Sequence, residues 1–539
     1  MRPATALAES ARFELHALQE RSKTVSAEVS WTKTVDVVVV GYGFAGANAA
    51  ISAHDTGAQV LLIEKMPSPG GISICSAGGL RVASDEEAAF QYLQRTNGGT
   101  APEESLRALA KGMTEVTDQL AGLAEICNGR LAYKEAPGIY PFAGRETFGF
   151  AMVDSIPDFD PAAAFPQTKA LGAGALVFKV LQDNVEQRDI EVWLDAPAER
   201  LLTDANGRVV GIRVERAGEI QDIRATRGVV LACGGFEADE DMQRQFWQAQ
   251  PVLSCAFLGN TGDGIRMAQA VGAELWHMWH FHGTYGFRAE GFPLGIRTKR
   301  LPDWFPGVKG EFHFDGFFND GRAVQMPWIL LNRDGRRFMN EYEPYMQDTG
   351  HRPFERYRPE TQDFPAIPCW LIADEQGRQL YPWGQPMYND LGLSMAWSKD
   401  NLAEVNAGII GQAASLEELA EAIGVELDQL VTTIDQWNAA CDAQSDDEWG
   451  RPPSSMRPIV EAPFYYATMW PVVSNTQGGP VHDVRQRVLN PFKEPIPGLY
   501  SAGELGSVFG HLYLSGGNVT ECFVGGNIAG REAALSNAG

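Results

Sequence analysis

Val35-Asp36-Val37-Val38-Val39-Val40 leads directly into Gly41-Tyr42-Gly43-Phe44-Ala45-Gly46, and Leu61-Leu62-Ile63-Glu64 follows one helix length later. An apolar strand, a glycine turn, a helix and a second strand closed by an acid make up a βαβ unit of the kind that binds a dinucleotide. Gly41 permits the tight turn, Gly43 lets backbone approach a pyrophosphate, and Gly46 lets helix and strand pack closely. The helix opening at Phe44 and Ala45 offers unpaired N–H groups to the phosphates. Glu64, with Lys65 beside it, is placed to hold a ribose hydroxyl.

Working outward, the chain turns through Pro67, Pro69 and Gly70 into a small-residue loop that carries Gly71, Ser73, Ser76, Gly78 and Gly79. Bulky side chains are absent there, so backbone can lie against a flat ligand. Residues 85–127 have apolar positions near period 3.6 and read as helical. Glu191–Leu194, Glu199–Leu202 and Val209–Val214 read as a small antiparallel meander, with a turn at Asp204-Ala205-Asn206-Gly207. Gly228–Phe236 is another buried strand, ending in Gly234 and Gly235, a second approach to the cofactor.

At 539 residues the chain exceeds the ~250–300 residues at which single cores stop growing. A net charge of −25 and a pI near 4.8 argue against nucleic acid or an anionic membrane as partner, because both are polyanions. The seven cysteines are scattered without a CxxC pair, as in a reducing compartment. No apolar run reaches the ~18 residues of a membrane span. A cytoplasmic small-molecule enzyme fits these bounds, as a monomer or a homo-oligomer.

From about Ala273 to Glu461 the texture changes to crowded tryptophans, histidines and prolines. The expected architecture is therefore α/β: a doubly wound, Rossmann-like dinucleotide domain over 34–272 that resumes at 462–539, with an inserted α+β catalytic domain at 273–461. Residues 1–33 are an N-terminal arm. Within the insert, Ser415–Ala440 has Leu416, Leu419, Ile423, Leu427, Leu430 and Ile434 on one helical face. A last strand and turn, Gly498-Leu499-Tyr500-Ser501-Ala502-Gly503-Glu504, precede a closing helix at 518–534.

The layout of Val35–Gly79, Val229–Phe236 and Leu499–Arg531 resembles FAD-containing flavoproteins of the fumarate reductase and 3-ketosteroid dehydrogenase superfamily, over nearly the whole chain after Lys33. The resemblance implies FAD as cofactor. It implies that Gly503-Glu504 meets the ribityl-pyrophosphate. The helix opening at Gly517-Asn518-Val519 would aim its positive end at the pyrimidine side of the isoalloxazine. Asn260-Thr261-Gly262-Asp263-Gly264 resembles the family turn that passes the cofactor; a plain helix cap is the alternative. Where membrane-bound members attach FAD through histidine, this chain has Ile72, so the flavin is expected to be non-covalent.

Fumarate-reducing members clamp two carboxylates with arginines and histidines. Here the corresponding stretches read Ser474-Asn475-Thr476-Gln477-Gly478-Gly479, then Arg337-Phe338-Met339-Asn340-Glu341-Tyr342-Glu343-Pro344-Tyr345, and Tyr513-Leu514-Ser515-Gly516-Gly517-Asn518. The histidine and both arginines are missing, so a pocket without cationic anchors is expected. The same departures resemble the ketosteroid dehydrogenase branch, to which Tyr345, Tyr513 and Gly517 correspond. That resemblance implies a phenol O–H from Tyr513 and the Gly517 amide on one carbonyl oxygen, forming an oxyanion hole. Tyr345 would take the α-proton while the β-carbon passes a hydride to flavin N5. Tyr140 is the expected third aromatic helper, Tyr133 its fallback. In that branch Pro-Gly-Pro usually stands where this chain has Leu514-Ser515-Gly516, and Gly517 serving the flavin alone is the alternative.

The wall from Trp276 to Trp328 suits a small, flat, largely apolar carbonyl substrate, as would a subunit interface. His277-x-x-His280-x-His282 has no carboxylate or cysteine to complete a metal set, and packing is the expected role. His511 is either structural or in contact with substrate or flavin. The resemblance implies FAD-dependent dehydrogenation of a carbon–carbon bond next to a ketone, in a 3-ketosteroid or similar cyclic ketone, with no electron acceptor or donor identified by sequence. The rivals are an enone reductase running the same chemistry backwards, and a flavin-binding interaction protein without turnover.

Overall fold

The computed structural model describes residues 30–299, 325–342 and 349–537. Tyr345 and almost all of the N-terminal arm lie outside the described residues. Strand β1 (Trp31–Val40) leads into helix α1 (Phe44–Asp55) and strand β2 (Val60–Ile63). Its first residues, Trp31–Lys33, were expected in the arm but belong to the sheet. β1 pairs in parallel with β2 on one side and with the strand Glu219–Leu231 on the other. Pro495–Ser501 and Glu191–Trp193 extend the parallel sheet at its two sides.

The unbroken valine run of β1 follows from this position. Val37 and Val39 enter the core under α1 and the closing helix Gly517–Leu535, whereas Val38 and Val40 enter the opposite core with Leu61, Ile63 and Val229. A parallel strand covered on both faces must be apolar at every position. The closing helix crosses α1 at small residues: a Cβ on Gly526 would lie 2.5 Å from the Ala45 oxygen, and one on Gly530 2.1 Å from the Ala49 oxygen.

Three expectations need correction. Glu191–Trp193 does not join a meander; it pairs in parallel with β2, and the antiparallel set is Ala198–Thr203, Val209–Arg216 and Glu219–Leu231. Ser415–Ala440 is two helices, Leu416–Ile423 and Leu427–Ala443, because Gly424 takes φ 69° and ends the first. The domain border at 462 also shifts. Phe464–Thr476 is the central strand of the second sheet, antiparallel to Phe281–Phe287 and Cys369–Ala373, and Leu253–Ser254 joins it from the first segment. Its alternating burial suits an antiparallel strand, and sequence position alone does not reveal the partner.

Under this second sheet, Arg337, Glu341, Asp446 and Arg451 form a buried ionic cluster, with Arg337–Glu341 at 2.8 Å, Arg337–Asp446 at 3.0 Å and Arg451–Glu341 at 3.3 Å. Burial alone would raise the Glu341 carboxyl, but the charges of Arg337 and Arg451 pull it below the usual range. The cluster fixes the chain four residues before Tyr345. Glu341→Ala leaves the buried Arg451 without its carboxylate and Arg337 with Asp446 alone, and urea denaturation should show a loss of about 3–5 kcal/mol.

Candidate active site

One cavity of about 420 Å³ runs between the glycine turn and the second sheet. At its phosphate end Gly41 takes φ 102°, and a Cβ there would lie 2.4 Å from the Ala232 oxygen. Gly43 faces Ser73, whose Oγ accepts from the Phe44 N–H at 3.3 Å. Glu64 accepts from the backbone N–H groups of Tyr42 and Met66, each at 2.9 Å. Burial raises its carboxyl despite these bonds. Lys65 is anchored to Thr261 at 2.7 Å and Asp263 at 2.6 Å, which joins two residues expected at the cofactor.

Gly71, Ser73, Ser76, Gly78, Gly79 and Gly234 all line the cavity, as do Phe44, Ala45, Glu504, Asn518 and Val519. Gly46, Gly235, Gly503 and Gly517 are not among the lining residues, and close packing explains them. A Cβ on Gly46 would lie 1.8 Å from the Gly41 oxygen, one on Gly235 1.8 Å from Thr476 Oγ1, and one on Gly503 2.7 Å from Ala45 Cβ. The cradle therefore fits a dinucleotide: small residues floor it and Glu64 stands where a ribose would lie. Ile72 also lines it and offers no nucleophile for attachment.

In the middle of the cavity Glu504 accepts from the Thr476 N–H at 2.8 Å and from Asn260, which also donates to Glu237 at 2.6 Å. Burial pushes Glu504 up to about 7; burial and then the Glu504 charge push Glu237 up. Glu521 accepts from Ser507 at 2.7 Å and Val508 N–H at 2.8 Å, and burial pushes it too up to about 7. Since unfolded glutamates titrate near 4.5, the folded chain holds more protons between about pH 4.5 and 7. This contribution to stability is full below that window and lost as pH rises through it. The thermal midpoint should fall from pH 5 to pH 7.5, and Glu521→Gln should flatten the slope.

At the far end, Tyr513 is 4 % exposed. Its ring meets Phe509 edge-on at 5.4 Å and lies 4.3 Å from the His282 ring. The Asn518 N–H, in the first turn of the closing helix, donates to the Tyr513 oxygen at 3.4 Å. A relay backs the imidazole: His282 Nδ1 meets Asn475 Oδ1 at 2.9 Å, Asn475 donates to Asn518 at 3.2 Å, and Asn518 donates to Glu521 at 3.2 Å. Burial, then the neighbouring Arg297 charge, push His282 down to about 3, so it is neutral.

Two expected roles are not met. The Gly517 amide donates to the Leu514 carbonyl at 2.6 Å, so it is committed within its own turn and not directed at a ketone. Tyr140 packs beside the Tyr513 cluster without lining the cavity, and its N–H donates to Tyr92 at 3.0 Å. Tyr133 is 58 % exposed. His277 and His280 bond backbone carbonyls of residues 507, 100 and 509. The described residues contain no group of three potential metal ligands. His511 does not line the cavity; its carbonyl accepts from Arg352. Sequence reasoning missed His282 and Asn475 as a pair, and it missed Arg297, which lines the cavity and returns a cation to it. An arginine directly after the apolar stretch Phe292–Ile296 was the available signal for the last, and Lys299 and Arg300 beside it made it read as part of a solvated basic run.

Fold and site together define a flavin-dependent oxidoreductase. The chain belongs to the FAD-binding domain family, whose model matches residues 36–520. It is 28% identical over 504 residues to the fumarate reductase (cytochrome) of Shewanella frigidimarina, covering 93% of this chain and 77% of that one. It is equally 28% identical over 594 residues to a 3-oxosteroid 1-dehydrogenase of Mycolicibacterium smegmatis, covering 93% of this chain and 98% of the relative. The fold is that of the 3-ketosteroid Δ1-dehydrogenase of Sterolibacterium denitrificans, with a TM-score of 0.75 at 24% identity over 93% of this chain and all of that one. No described helix is long and apolar enough to cross a membrane.

Proposed function

We propose that the protein dehydrogenates a carbon–carbon bond α,β to a ketone in a flat, largely apolar substrate. The observation that carries this reading is the placement of Tyr513, in the cavity wall, against neutral His282 and at the N-terminus of the closing helix. In the complex its O–H donates to the carbonyl oxygen. The helix-start N–H on the phenol oxygen stabilises negative charge that builds there as the enolate forms. This corrects the expected oxyanion hole: Asn518 acts through the phenol, and Gly517 holds the turn.

Tyr345, acting as its phenolate, takes the α-proton and becomes the neutral phenol, and Glu341 with its two arginines anchors the chain that leads to it. Bound FAD supplies the hydride acceptor, its N5. The relay from Glu521 through Asn518 and Asn475 keeps His282 in one orientation, with its Nδ1–H donated away from the substrate. Ile72, Phe150, Met152, Leu171 and Met387 supply an apolar wall that excludes water.

Proton abstraction can be read separately from electron transfer. In D2O the protein should install deuterium at the α-carbon of a bound ketone, followed by NMR. Tyr345→Phe should slow this exchange by roughly 10²–10⁴-fold, and exchange at the parental rate would remove Tyr345 from the mechanism.

A further inference from the structure

Five arginines are buried among the described residues: Arg81, Arg297, Arg337, Arg378 and Arg451. Four are satisfied by protein. Arg81 donates to the carbonyls of Ser515 and Ala136, at 2.7 and 2.6 Å. Arg337 and Arg451 share the ionic cluster, and Arg378 bonds Glu375 and the Asp400 carbonyl. Arg297 differs. It is 7 % exposed and lines the cavity, yet has no carboxylate or carbonyl partner among the described residues. A guanidinium ion withdrawn from water without a partner is costly, and it persists where a ligand completes it.

Among the described residues the cavity offers no free counter-ion. Glu64 is taken by two backbone N–H groups, Asp263 by Lys65, and Glu504 by Thr476 and Asn260. Arg297 also lies away from the phosphate end, where Lys65 is the cation. It sits on the short strand Ile296–Thr298 opposite Gly286, which has no side chain to cover it. Arg297, His282 and Tyr513 line the same cavity, and the His282 ring lies 4.3 Å from that of Tyr513. Among these three, only Arg297 carries a permanent charge.

We infer that Arg297 binds a carboxylate of the substrate, which makes the substrate an oxo acid: a largely apolar ketone carrying one carboxylate that reaches Arg297 within the cavity lined by Tyr513. A planar carboxylate matches the fork of the guanidinium with two parallel hydrogen bonds. The inference rests on the reading of Tyr513 as the residue at the carbonyl.

The test compares 4-oxocyclohexanecarboxylate with its methyl ester on the FAD-loaded protein, under anaerobic conditions. Binding is followed by perturbation of the flavin spectrum and reaction by loss of the oxidised flavin band. The parent should half-saturate with the acid at a concentration at least 100-fold below that for the ester. Arg297→Gln should lose this preference while retaining FAD, and Arg297→Lys should restore part of it. Equal half-saturation by acid and ester in the parent, or an unchanged preference in Arg297→Gln, would overturn the anchor. So would loss of FAD from both variants, which would assign the guanidinium to the cofactor. Acid-selective binding without flavin reduction would keep the anchor and defeat the ketone chemistry. Reduction by acid and ester alike would do the reverse.

Discussion

Gly46→Ala should release FAD from the protein, with affinity falling about 100-fold. The mildest possible side chain places its Cβ 1.8 Å from the Gly41 carbonyl oxygen, a distance at which one of the two must move. Helix α1 then backs away from the turn, and its N-terminal N–H groups leave the phosphate positions. Forcing one extra carbon into a packed site costs roughly 1–3 kcal/mol, and the upper end corresponds to about 100-fold in affinity. FAD titration of the apoprotein reads the change, and circular dichroism separates it from unfolding. Gly122→Ala is the control: it too lies within a helix, but its Cβ meets nothing within 4 Å. Its FAD affinity should match the parent's.

Tyr513→Phe should leave the protein yellow and nearly inactive. The phenyl ring keeps its packing on Phe509 and His282, so the cavity holds its shape. The lost hydroxyl is the group that meets the carbonyl oxygen. Removing one preorganised donor of this type costs about 10²–10³ in rate, read in the reductive half-reaction by stopped flow. Loss of FAD in this variant would instead mean that Tyr513 serves the cofactor.

The phosphate end of the site was legible because it is local. Gly41, Gly43 and Gly46 answer to backbone sterics within one turn, and the acid at Glu64 follows from the length of one helix. Tyr513, which lines the cavity, was reached through the resemblance to the ketosteroid dehydrogenase branch. Spacing does not report where a main-chain N–H points, which is why Gly517 was expected to face the substrate while its amide closes on Leu514. The packing of Tyr140 outside the cavity was equally hidden, since an aromatic beside a core and one inside a cavity read alike. Sheet partnership is non-local as well. Nothing within Phe464–Thr476 states that it pairs with Phe281–Phe287 and Cys369–Ala373. Arg297 shows the same limit for charge, because its significance is that no described residue partners it in three dimensions.

The central claim is that the flavin in this chain takes electrons from a carbon–carbon bond beside a ketone. Anaerobic mixing of the FAD-loaded protein with cyclic ketones, against fumarate and succinate as dicarboxylates, tests it most directly. Loss of the oxidised flavin band with a ketone that has hydrogens on both α- and β-carbons, and none with succinate, is the expected result. A flavin untouched by every ketone, yet rapidly reoxidised by fumarate after chemical reduction, would contradict it.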